Sequence, residues 1–139
     1  MVSPAPIYVL DSFALLAHLQ AEPGGPTVRA LLESARDQKA VLYMSLINAG
    51  EVYYLTSREK GRAQAEALLN DLSNLPIVLR PVTDAQVWQA ARLKSEFLIS
   101  YADAFAVALA QELKATLVTG DPELADLKSQ VKILWLPSA

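Results

Sequence analysis

Four carboxylates stand where an acid needs a reason. Asp103 lies in Ser100-Tyr101-Ala102-Asp103-Ala104-Phe105-Ala106-Val107-Ala108-Leu109-Ala110, which reads as a helix apolar on every side and therefore buried. The run is too short to span a bilayer, which takes roughly 20 residues. A charge buried there is costly unless it is paired or bound to a metal. Glu51 lies mid-helix in Leu46-Ile47-Asn48-Ala49-Gly50-Glu51-Val52-Tyr53-Tyr54-Leu55, among neighbours that are nearly all apolar. Asn48, three residues earlier, shares its face. Asp11 directly follows the apolar run Ile7-Tyr8-Val9-Leu10, and Asp121 closely follows Ala115-Thr116-Leu117-Val118-Thr119.

Helix capping accounts for part of this pattern. Asp11 sits where a strand hands over to a helix, an N-cap position. Asp121 followed by Pro122 is a helix-start signal. Ser100 three residues before Asp103 resembles a capping box, and an acid in the first turn complements the helix dipole by about 0.3–1 kcal/mol. No cap explains Glu51, which a solvated stripe with Asn48 would otherwise have to explain.

The elements that must carry these acids alternate along the chain. Short apolar runs at 7–10, 40–44, 76–82, 115–119 and 131–136 read as about five strands, with helical patterns between them. That alternation calls for a parallel sheet covered by helices on both faces, and in such folds ligands bind beyond the carboxyl ends of the strands. All four acids can reach that one edge. Thr56-Ser57-Arg58-Glu59-Lys60-Gly61-Arg62 reads as a polar turn, whose Arg58, Lys60 and Arg62 either meet RNA phosphates or are simply solvated. Trp88 and Trp135 read as core or groove residues. In the helix at 63–75, Ala67, Leu68 and Leu72 are expected to face inward. His18 is the one histidine; alone it makes neither a metal cluster nor a triad, and a structural role is expected.

Four carboxylates in one pocket repel one another, by roughly 4 kcal/mol for a pair about 4 Å apart at an effective dielectric of 20. Divalent cations remove that penalty. Hard oxygen ligands without histidine or cysteine favour Mg²⁺ or Mn²⁺, and such metals activate water and stabilise charge developing at a phosphate. Thr119 is placed to hydrogen-bond a carboxylate or a metal-bound water. The ligand set thus points to metal-dependent hydrolysis of a phosphodiester.

At these residues the chain resembles the PIN-domain family, and within it the VapC-like toxin ribonucleases of toxin–antitoxin modules. The resemblance is carried by Val9-Leu10-Asp11-Ser12, Asn48-Ala49-Gly50-Glu51-Val52, Tyr101-Ala102-Asp103-Ala104-Phe105-Ala106-Val107-Ala108-Leu109-Ala110 and Val118-Thr119-Gly120-Asp121-Pro122-Glu123, in order and over nearly the whole chain, including Leu134-Trp135-Leu136-Pro137. It implies a three-layer α/β/α sandwich with a central parallel sheet, formed by a single PIN-like domain over residues 1–139. It also implies Asp11, Glu51, Asp103 and Asp121 as metal ligands for endonucleolytic RNA cleavage. Thr119, Ser12 and Asn48 are expected to support them. A homodimer, and an antitoxin whose tail crosses the acidic pocket, are implied as well.

Composition bounds these readings. The chain has 139 residues, 53% of them hydrophobic, enough for one domain with a real core. The start, Met1-Val2-Ser3-Pro4-Ala5-Pro6, lacks the regions of a signal peptide, and no transmembrane run is present, so a cytoplasmic protein is expected. The absence of cysteine fits a reducing compartment and removes thiolate zinc sites. A net charge of −3 carries no basic footprint for nucleic acid, so an anionic substrate needs a cation or a local basic patch. Two other readings compete. One is a PIN-like module that binds RNA or a protein without cleaving. The other is a receiver-like domain, which needs a lysine directly after the last strand, where Pro137-Ser138-Ala139 stands instead. A dinucleotide fold would need a Gly-x-Gly-x-x-Gly loop, which is absent.

Overall fold

The computed structural model describes residues 4–137; Met1-Val2-Ser3 and Ser138-Ala139, read above for a leader and for a terminal lysine, lie outside the described residues. In chain order the elements are β1 (Ile7–Leu10), α1 (Ser12–Leu19), α2 (Gly25–Arg36), β2 (Val41–Ser45), α3 (Leu46–Lys60), α4 (Arg62–Leu72), β3 (Ile77–Arg80), α5 (Asp84–Glu96), α6 (Tyr101–Leu113), β4 (Thr116–Thr119), a 3₁₀ helix (Pro122–Leu127) and β5 (Ile133–Trp135).

The five strands form one sheet in the order β3-β2-β1-β4-β5, and every pairing is parallel. The chain builds outward from β1 through β2 to β3, then returns to the other side of β1 for β4 and β5. This reversal opens a crevice at the carboxyl ends of β1 and β4, where such sheets bind ligands.

Both faces of the sheet are covered, as continuous apolar strands require. Val9 and Leu117 point to one face, against α5 and α6. Leu10, Leu42 and Val118 point to the other, against α1 and α2. Leu15, Met44, Val52 and Leu68 close a third cluster under α3 and α4. The α6 helix is the most enclosed element, with Asp103 through Ala110 all buried, in agreement with its unbroken apolar sequence. β3 lies at a sheet edge, flanked by Pro76 and Pro81, residues that cannot donate to a ladder. The described residues contain no helix long and apolar enough to cross a membrane.

Three local expectations are corrected. The polar stretch from Thr56 is no turn: α3 runs on to Lys60, and Gly61 alone, at φ 92°, redirects the chain into α4, a conformation that suits glycine. Thr56 is buried there, so a hydroxyl serves the inner face and hides the helical period. Trp88 and Trp135 are 64% and 45% exposed; α5 turns Gln86, Ala90 and Leu93 inward instead. Ala67 is exposed, and Ala65 joins Leu68 and Leu72 inside α4.

Candidate metal centre

Asp11, Asp103 and Asp121 are each placed by a helix start, and Glu51 by the second turn of α3. Asp11 leaves β1 and caps α1, its Oδ1 accepting the Ala14 amide at 2.8 Å. Its other oxygen accepts a hydrogen bond from the Thr119 hydroxyl at the end of β4. The same hydroxyl oxygen accepts the Asp121 amide at 3.0 Å. Thr119, fully buried, thereby ties the acids after β1 and β4 to each other. Asp121 also caps the 3₁₀ helix by accepting the Glu123 amide at 3.0 Å. Asp103 sits in the first turn of α6, where the Ser100 hydroxyl oxygen accepts its amide at 3.1 Å.

Capping and clustering are therefore both true of Asp11 and Asp121. The cap fixes one oxygen or one backbone group of each acid, and the edge they share brings their charges together. Burial pushes the Asp11 carboxyl up to about 7; the Thr119 and Ala14 hydrogen bonds oppose the rise, and the charges of Asp121 and Glu51 add to it. Burial likewise raises Asp103 to about 8, followed by a hydrogen bond with Asp121, the charge of Asp121 and the charge of Asp11, with Ser100 opposing. Of the four predicted acids, Asp103 and Asp121 bring oxygens within 4.8 Å of each other; Asp11 is tied to Asp121 through Thr119 but lies outside that cluster, as does Glu51. Asp103 and Asp121 are in the closest association, and half-buried Glu51 acts on Asp11 through its charge alone. Glu51 Oε2 accepts the Tyr54 hydroxyl at 3.3 Å.

Glu123 belongs to this place too, and no role was read for it in the sequence. Oxygens of Asp103, Asp121 and Glu123 lie within 4.8 Å of one another. Its only sequence signal is the spacing Asp-Pro-Glu, in which the turn after the proline brings the second acid back beside the first.

The supporting residues are buried between the acid-bearing helices. Asn48 is fully buried. Its Nδ2 donates to the Ala102 carbonyl at 3.1 Å and to Ser12 Oγ at 3.5 Å, and Ser12 Oγ donates to the Asn48 carbonyl at 3.1 Å. The basic residues are divided. Arg58 lies over the Tyr54 ring, 4.9 Å from its centroid, on the Glu51 side of α3. Lys60 lines a groove with Leu16, Leu68 and Asp71, and Arg62 stands by Tyr53. His18 lies in the last turn of α1, at the far end from Asp11.

Do these residues fit a divalent cation? Among the described residues, the buried side-chain atoms without a hydrogen-bond partner are Asn48 Oδ1 and Asp103 Oδ2. Asp103 is 5% exposed, so an oxygen left unpaired there is expensive, and its carboxylate belongs to the cluster with Asp121 and Glu123. Oxygen-only donors at this spacing fit a hard cation. When bound, it would neutralise the acids, activate water and stabilise charge at a phosphate.

Comparison with known proteins matches the PIN domain to residues 8–129 of this chain. No curated protein matches the sequence significantly. Among solved structures, the chain is similar to VapBC2 from Rickettsia felis, a complex bound to a DNA fragment from its promoter, with a TM-score of 0.75, 19% identity, and 94% of this chain and 99% of that chain covered. It is similar to Mycobacterium tuberculosis VapC20, a sarcin–ricin loop cleaving toxin, with a TM-score of 0.74, 20% identity, and coverage of 94% and 99%. DNA-bound VapBC from Salmonella typhimurium gives a TM-score of 0.70 at 13% identity, covering 93% and 97%. At these identities the likeness is one of fold.

Proposed function

The chain belongs to the PIN domain family, and from that membership we propose that it is a metal-dependent endoribonuclease hydrolysing RNA phosphodiester bonds, the toxin of a toxin–antitoxin pair. The observation that carries this reading is Asp103, which has a buried, unpartnered oxygen and a carboxylate oxygen within 4.8 Å of oxygens of Asp121 and Glu123. In this reading Asp11, Glu51, Asp103 and Asp121 hold Mg²⁺ or Mn²⁺, and Glu123 adds an oxygen on the Asp121 side. Thr119 keeps Asp11 and Asp121 at a fixed spacing, while Ser12 and Asn48 set α3 against α1 and α6. Without a cation, Asp103 keeps its proton near neutral pH, and loading requires that this proton leave.

The partners follow from the same reading: an RNA substrate, a cognate antitoxin and a second copy of the chain in a homodimer, in the cytoplasm, with the whole of residues 1–139 forming one PIN-like domain. An antitoxin is supported by similar structures that are themselves VapBC complexes. The test is cleavage of RNA in Mn²⁺, compared with EDTA and with Asp103→Asn. Loss of cleavage in both is expected; undiminished cleavage by Asp103→Asn at saturating metal removes the reading. Light scattering at micromolar concentration tests the dimer, and a monomer there rejects it.

A further inference from the structure

We propose that Tyr54 and Arg58 dock the nucleotide flanking the scissile phosphate, Arg58 taking a phosphate and Tyr54 a base. This rests on the nuclease reading and adds where the RNA lies.

Helical phase makes the first argument. Glu51, Tyr54 and Arg58 are at i, i+3 and i+7 of α3, which at about 100° per residue form one stripe. The stripe is physically joined: Tyr54 donates to Glu51 at 3.3 Å, and Arg58 lies 4.9 Å from the Tyr54 ring centroid. It leads from the acid edge outward along the helix for about 10 Å. Lys60, nine positions after Glu51, falls on the opposite side of α3. Arg62 lies beyond Gly61 in the next helix, near Tyr53. Of the three basic residues, only Arg58 shares a face with an acid of the site.

Availability makes the second. Tyr54 is 43% exposed. Among the described residues, the Arg58 guanidinium has no carboxylate within 4.0 Å; the ion pair found is Arg80 with Glu112. An arginine stacked on tyrosine keeps its forked donors free for a phosphate, and an exposed aromatic takes any base by stacking. A chain of net charge −3 that handles RNA needs such a local cation.

The test measures binding of a labelled single-stranded RNA oligonucleotide by fluorescence anisotropy in Mn²⁺, in the non-cleaving Asp103→Asn protein, over a series of salt concentrations. Tyr54→Ala and Arg58→Gln are expected to raise Kd about fivefold or more, with the salt slope flattened by about 0.7 for Arg58→Gln. Tyr54→Phe, which keeps the ring and loses only the Glu51 hydrogen bond, retains affinity; so do Lys60→Gln and Arg62→Gln. Equal losses at Lys60 or Arg62, or none at Arg58 and Tyr54, overturn the proposal. An Asp103→Asn protein that fails to retain an oligonucleotide cleaved by wild type also overturns it, because a docking step outside the acids works without Asp103. Wild-type protein that does not cleave RNA in Mn²⁺ overturns the nuclease reading itself, and this proposal with it.

Discussion

The side-chain amide of Asn48 donates to the main-chain carbonyl of Ala102, so the helix carrying Glu51 is fastened to the residue beside Asp103. The same amide reaches Ser12, the neighbour of Asp11. One buried group thus joins the starts of α1, α3 and α6, and the spacing of three acids depends on it. Asn48→Ala removes the bonds to Ala102 and Ser12 and is expected to cost about 1–3 kcal/mol, at about 0.5–1.5 kcal/mol for each bond. A purely structural residue would lower the melting temperature equally in EDTA and Mn²⁺. A positioning residue would also shrink the stabilisation gained from Mn²⁺, which paired melts in the two buffers measure.

Thr119→Val tests the other tie. Valine keeps the shape but neither donates to Asp11 nor accepts the Asp121 amide. Urea unfolding should show a loss of about 1–3 kcal/mol. The Asp11 carboxyl should titrate still higher, since the Thr119 hydrogen bond holds it down, a change that carboxyl ¹³C chemical shifts would read directly.

The raised acids set a pH dependence. Asp11 and Asp103 titrate near 7 and 8 in the folded chain and at about 3.9 when unfolded. Between these values the folded state binds more protons than the unfolded one, so stability falls as pH rises. In EDTA, the part of stability due to these two acids is complete below about pH 4 and lost by about pH 8. Denaturant midpoints across that range should therefore fall in wild type and flatten in an Asp11→Asn, Asp103→Asn double variant. A cation competes with the same protons, so Mn²⁺ affinity should climb with pH over the upper part of the range.

Metal should separate clustered acids from structural ones. At 100 times its dissociation constant a cation stabilises wild type by about 2.7 kcal/mol. Glu51→Ala, with no cap to lose, should be neutral or stabilising in EDTA and lose most of the Mn²⁺ gain. Asp11→Ala and Asp121→Ala each lose a cap worth about 0.5–2 kcal/mol, offset in EDTA by relief of repulsion. Glu123→Gln should weaken the Mn²⁺ shift without abolishing it. Equal destabilisation of every variant in both buffers, with a wild type indifferent to metal, would mean that these acids are structural.

Gly120 separates Thr119 from Asp121, and a Cβ there would lie 2.2 Å from the Phe13 ring. Gly120→Ala must displace that ring or the strand end, at about 1–3 kcal/mol. Because Thr119 and Asp121 flank the glycine, Mn²⁺ affinity should fall together with the melting temperature, and Phe13→Leu should restore part of both.

The sheet and its acidic edge were legible because apolar runs and helical periods alternate, and because Glu51 and Asp103 are charges in apolar company. Asp11 and Asp121 were ambiguous for a physical reason: the same side chains cap helices and face the site. Glu123 was not legible, since its part depends on a turn that returns it to Asp121. The continuation of α3 through Arg58 was hidden because Thr56 fills a buried position that periodicity assigns to an apolar residue. Asn48 shares a helix face with Glu51, but its bond to Ala102 spans 54 positions, beyond any local pattern.

The strand order has a consequence for synthesis. β1 is made before β4, yet β4 is its neighbour on the side of the crevice, with Tyr8 opposite Thr116. As the chain leaves the ribosome, the Asp11 carboxylate has the Ala14 amide close at hand but waits for Thr119 to emerge. A polypeptide that has not yet reached β4 therefore holds the acids apart, and the centre is assembled only after Asp121 has been translated.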